Sequence, residues 1–81
     1  MAEKQIALDL IADVASPTEI VFEDGETSTE WLAPYDLRLT VLNASGPNGY
    51  PEVNIIGEED NLRRFLAEKL PDVDDLVEDV N

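Results

Sequence analysis

The chain has 81 residues, 43% of them hydrophobic, with no cysteine, no histidine and a net charge of −14 from 19 acidic and 5 basic side chains. That length fits one domain with a thin core, burying about 60–65% of the surface its unfolded chain exposes and leaving little room for a deep substrate cavity. The missing Cys and His exclude disulfides, thiolate nucleophiles, Cys/His zinc sites and the commonest general base near neutral pH, while the charge disfavours direct binding to nucleic-acid phosphates or anionic lipid.

"QIALDLIADV" (Gln5–Val14) fits two periods. Ile6, Leu8, Leu10, Ala12 and Val14 alternate as a strand would, whereas Ala7, Leu10, Ile11 and Val14 share one helical face. The longer alternation and the Ser16-Pro17 stop favour a strand. Glu3, Asp9 and Asp13 interrupt this N-terminal stretch, which therefore does not read as a signal peptide. No run in the chain reaches the ~18 apolar residues of a membrane span. A cytoplasmic location is expected.

"EIVFEDGE" offers a short strand at Ile20–Phe22 followed by Asp24-Gly25, a favoured two-residue hairpin turn. Glu23 and Glu26 would then oppose each other across it, which weakens a hairpin. The rival reading takes Thr27-Ser28-Thr29-Glu30 as a capping box opening one helical turn before Pro34. Both stay open, and Trp31 reads as a core or edge anchor.

"YDLRLTVLN" (Tyr35–Asn43) is the clearest strand, with Leu37, Leu39 and Val41 on one face. "ASGPNGY" is turn chemistry, and "PEVNIIG" (Pro51–Gly57) returns with Val53 and Ile55 on one face. A helix follows over Glu58–Leu70, with Gly57 able to cap it and acids in its first turn. Leu62, Phe65, Leu66 and Leu70 form its apolar face, and Pro71 cannot continue it. Its length of ~20 Å matches a seven-residue strand, so it is expected to lie across the hairpin. In "PDVDDLVEDVN", Val73, Leu76, Val77 and Val80 stand at i, i+3, i+4 and i+7, the pattern of an acidic amphipathic helix. Such a short helix is marginal alone, so the tail is expected to fold back on the domain or dock on a partner.

The expectation is an α+β domain over residues 1–70: a small antiparallel sheet of three to five strands, one packed helix, and an acidic amphipathic tail over 71–81. Charge is distributed unevenly along it. Residues 1–34 carry −7 and residues 71–81 carry −5, leaving only −2 on the 36 residues between.

No motif carries chemistry. Carboxylate pairs such as Glu58-Glu59 follow from abundance, so an enzyme is not expected, and no cofactor or metal is implied. "DVDD" starts like a calcium loop, but Leu76 and Val77 stand where that loop needs a ligand and a glycine. "SGPNG" lacks the lysine and following helix of a phosphate loop. Arg63 and Arg64 read as a solvated helix face offsetting nearby acids.

"VLNASGPNGYPEVNIIGEEDNLRRFLAEKL" (Val41–Leu70) resembles small acidic proteins of actinobacterial phages, which show a similar strand, a Gly-rich turn with Pro-Glu-Val and a closing amphipathic helix. The resemblance implies a compact accessory protein in a phage setting and carries over no active site.

The expected function is a non-enzymatic protein-binding module, a phage accessory protein or inhibitor of a host protein, whose partner has a basic surface. Glu19, Glu23, Asp24, Glu26 and Glu30, with Asp72, Asp74, Asp75, Leu76, Val77, Glu78, Asp79 and Val80 of the tail, form the candidate partner-binding set. A sharper variant is a DNA mimic, because acids two apart on a strand lie ~6.8 Å from each other, near the spacing of backbone phosphates. Two further alternatives are a structural role in an assembly, and a halophile's charge serving only solubility.

Overall fold

The computed structural model describes residues 3–46 and 49–80, apart from the Asp74 side chain. Pro47 and Asn48 of the expected turn, and Asn81, lie outside the described residues. The antiparallel α+β class is as expected. Among these residues, however, six strands form two sheets, of four and two strands, and there are two α-helices, against the single sheet of three to five strands and one helix expected from the sequence.

The N-terminal alternation makes two strands rather than one. β1 (Glu3–Asp9) pairs antiparallel with β5 (Glu52–Glu58) along its whole length, from Glu3 opposite Glu58 to Asp9 opposite Glu52. Beyond Asp9 no β5 partner remains. The Leu10 N–H bonds the Pro51 carbonyl at 3.2 Å, the chain bends at Ile11, and β2 (Ala12–Ser16) pairs with β3 (Glu19–Phe22) as a separate two-stranded sheet. The period-2 pattern stays in phase through the bend: Ile6 and Leu8 are buried, and Leu10 and Ala12 pack against the core.

Past Phe22 the two open readings merge. A tight turn, with Gly25 at φ +92°, returns only as far as one bridge between Val21 and Thr27. Thr27 then caps α1 (Ser28–Leu32) with the expected capping box: its Oγ1 accepts the Glu30 N–H at 3.2 Å while the Glu30 carboxylate accepts the Thr27 N–H at 3.4 Å. Pro34 lies in a following 3-10 turn, Ala33–Tyr35, which Asp36 ends in the left-handed region at φ +54°. Tyr35 therefore belongs to this turn, and β4 covers Arg38–Asn43. β4 pairs antiparallel with β5 as the expected hairpin.

α2 (Glu59–Lys69) buries Leu62, Phe65 and Leu66 completely and packs on β1, β5 and the Ala33–Tyr35 turn. It thus covers the β1–β5 pair rather than the β4–β5 hairpin, while β3 and α1 pack beside β4. Gly57 stays buried in β5, and Glu58 holds the N-cap position without a side-chain cap bond. Glu59 and Asp60 in the first turn and Lys69 in the last complement the helix dipole.

The tail is not an α-helix. Pro71–Leu76 form a 3-10 helix, and β6 (Glu78–Asp79) adds to the free edge of β1, giving the sheet order β4-β5-β1-β6. Asp and β-branched Val are poor helix formers, and acids at i, i+3 and i+7 (Asp72, Asp75, Asp79) would repel each other along a helix. A strand edge offers their backbone a better partner. Val73 and Val77 pack on the core, whereas Leu76 and Val80 remain exposed, so the predicted stripe is split.

Candidate functional site

The acidic set is divided between two places. Glu19, Glu23, Asp24, Glu26 and Glu30 belong to β3, the turn after it and α1, near β4 at one end of the sheet order. Glu78 and Asp79 form β6 at the other end, and Asp72, Asp74 and Asp75 lie in the 3-10 helix before it. Only Glu19 of the first group lies on a strand, so the regular carboxylate spacing that mimicry was drawn from is not present there.

Local bonds fix the first group. Glu19 accepts the Thr29 hydroxyl at 2.8 Å and Glu30 closes the capping box. Asp24 Oδ1 accepts the Glu26 N–H at 3.0 Å, an Asx turn. The Phe22 N–H bonds the Glu26 carbonyl at 2.8 Å and the Gly25 N–H bonds the Phe22 carbonyl at 2.9 Å. Glu23, Asp24 and Glu26 are thereby held exposed on a turn with a defined backbone.

Four of the five basic side chains are engaged elsewhere. Arg38 pairs with Glu3 at 3.0 Å, Arg63 with Glu59 at 2.9 Å one helical turn away, and Lys4 with Asp79. Arg64 donates to the Pro34 carbonyl at 3.3 Å and lies 5.3 Å from the Tyr35 ring centre. Among the described residues, no ion pair involves an acid of residues 13–30, a stretch that contains no basic side chain at all.

Beneath those acids lies an aromatic chain. Phe22 meets Trp31 edge-on at 4.9 Å with the rings at 74°, and Trp31 meets Phe65 of α2 at 4.8 Å and 80°. Phe65 in turn meets Tyr35 at 5.2 Å. Phe22, Trp31 and Ile11, which is 58% exposed, line a surface depression of about 440 Å³, and Glu23, Asp24 and Glu26 complete it. Sequence reasoning named the three acids but not this floor. Ile11 is out of phase with the alternating run Ile6, Leu8, Leu10 and Ala12 and belongs to the rival helical face, so the strand reading gives it no place in a site.

A larger groove of about 550 Å³ between α1 and β4 includes Leu32, Leu37, Leu39, Asp36 and Arg38. Its two charges are of opposite sign, so it presents no concentrated field. No group of three or more carboxylates among the described residues is arranged to hold a metal ion, and no helix there is long and apolar enough to cross a membrane.

In the tail, Asp72, Asp75 and Glu78 are exposed, Val77 is half-buried, and Leu76 and Val80 point to solvent. Asp74 has a described backbone within the 3-10 helix. Asp79 is not a free recognition charge. Its hydrogen bond with the Lys4 ammonium, aided by their attraction, holds its carboxyl below the ordinary range and raises Lys4 above its own. Comparison with protein-family models, curated proteins and solved structures found no match to this chain.

Proposed function

We propose that the protein is a non-enzymatic protein-binding module that engages a basic partner surface through the acids between Asp13 and Glu30. One observation carries this reading: among the described residues no ion pair reaches the exposed acidic segment, and all three that occur lie elsewhere. Unneutralised like charge held on an ordered turn destabilises an isolated chain and is relieved by an approaching cation. The resemblance of Val41–Leu70 to phage proteins supports an accessory or inhibitory role towards a host protein.

Capture from a host lysate on immobilised protein, washed at rising salt, tests the reading. Expected is a basic protein held at low salt, released by moderate salt, and lost when Glu23, Asp24 and Glu26 are changed to Gln, Asn and Gln. A partner displaced by duplex DNA would turn the reading to mimicry. No salt-sensitive partner at any ionic strength would sink it.

A further inference from the structure

The acids account for attraction but not for selectivity, and the depression beneath them supplies what attraction lacks. Phe22 and Trp31 stand almost perpendicular, so the depression has an aromatic corner rather than a flat floor. Three carboxylates lie at its rim on a backbone fixed by the Gly25 turn and the Asp24–Glu26 bond. A guanidinium is the cation suited to such a site. Its plane lies against an aromatic ring while its in-plane N–H groups reach carboxylates, whereas an ammonium is a compact, strongly hydrated point charge.

The depression does not end at one side chain. A smaller one of about 190 Å³ adjoins it, sharing Ile11 and Glu23 and lined also by Asp13 and by Tyr50, which is 43% exposed. Together they make a track with apolar residues along it and a further carboxylate, Asp13, on the strand beside Val21. Its occupant is therefore a segment of chain rather than an isolated ion.

Resting on the protein-binding reading above, we infer that the depression formed by Ile11, Phe22 and Trp31 is a docking site for an arginine side chain on an extended basic segment of the partner protein. Glu23, Asp24 and Glu26 pair the guanidinium, and Asp13 meets the next cation along the segment. The charge complementarity is local: the exposed tail acids Asp72, Asp75 and Glu78 lie on a segment that contains no aromatic residue.

Trp31 is the chain's one tryptophan, so its emission reports on this site directly. The probe is a synthetic dodecapeptide of alternating arginine and serine, titrated against the full chain, with the lysine–serine peptide alongside. Expected is a saturable change in Trp31 emission with the arginine peptide, and binding about tenfold or more weaker with the lysine peptide. Two variants each remove three exposed charges: Glu23→Gln/Asp24→Asn/Glu26→Gln at the rim and Asp72→Asn/Asp75→Asn/Glu78→Gln in the tail. A general field effect would weaken both alike. The inference requires about tenfold or greater loss in the rim variant and little change in the tail variant. Ile11→Ser, at a position 58% exposed, should also weaken the arginine peptide. Equal losses in the two charge variants, equal affinity for the two peptides, or binding that leaves Trp31 emission unchanged would each overturn it. Each of these leaves the protein-binding reading standing if lysate capture succeeds, so the two fail separately.

Discussion

Ser28 is fully buried, and its Oγ accepts the Ile20 N–H at 3.0 Å, tying α1 to β3. Ser28→Ala would leave that N–H buried without an acceptor, costing about 1–3 kcal/mol, more than the few tenths gained from alanine's better helix propensity. Urea unfolding measures the difference, and an unchanged midpoint would mean that the amide finds another acceptor. Gly57 is a second such position, for a steric reason. A Cβ there would collide with the Leu37 side chain, itself buried against the core. Gly57→Ala should cost about 1–3 kcal/mol as overpacking, read from the same unfolding experiment. Neutrality would show that Leu37 turns aside. Neither residue carries charge, so both variants should leave partner binding intact wherever they remain folded.

At the scale of the element, β6 is the least secured piece of the sheet: two residues beside β1, anchored by the Asp79–Lys4 contact and by Val73 and Val77. The contact gives β6 a defined pH window. Asp79 titrates below its ordinary 3.8, so its contribution is present above that pH and is lost as pH falls through its folded value. Lys4 titrates above 10.5, so its contribution is present below that pH and is lost as pH rises through its folded value. Asp79 is exposed and Lys4 half-buried at the surface, and solvent screening keeps the effect small. Methyl NMR of Val77 and Val80 should show docking weaken below about pH 3.8 in the native chain. In Asp79→Asn docking should already be weaker at pH 7, with no loss in that acid window. Parallel curves for the two proteins would mean the contact does not hold β6. The same element shows what the sequence could reveal. Leu62, Phe65 and Leu66 repeat at helical spacing, and Leu39, Val53 and Ile55 at strand spacing, because each face buries within its own segment. The tail's Val73, Leu76, Val77 and Val80 fit a helix equally well, and the decision lay with β1's open edge, a partner distant in the chain. The aromatic depression was hidden for the same reason, since Ile11, Phe22 and Trp31 meet only after the β1–β2 bend.

The whole molecule measures 32 × 24 × 22 Å and carries −14, so its response to salt reports on how that charge is arranged. At about 0.01 M ionic strength the Debye length of ~30 Å spans the molecule, and the acids at both ends of the sheet repel one another. At about 0.15 M it falls to ~8 Å, which removes repulsion between the ends but leaves much of that among Glu23, Asp24 and Glu26. Thermal stability should therefore climb between those two conditions and then level off, with only a shallow further rise towards molar salt. The fold itself gives no reason to need molar salt: twelve apolar side chains form a continuous buried core, and no buried side-chain polar atom among the described residues lacks a hydrogen bond. A halophile's domain behaves differently, loosening at ordinary ionic strength and firming only at molar concentrations. Near-UV circular dichroism of Trp31, wedged between Phe22 and Phe65, distinguishes the two, because that signal needs fixed packing. A full native signal at about 0.15 M salt would leave the acidic segment as a feature directed at a partner. A signal that develops only in molar salt would make the charge a solvent adaptation and remove the reason to expect a basic partner.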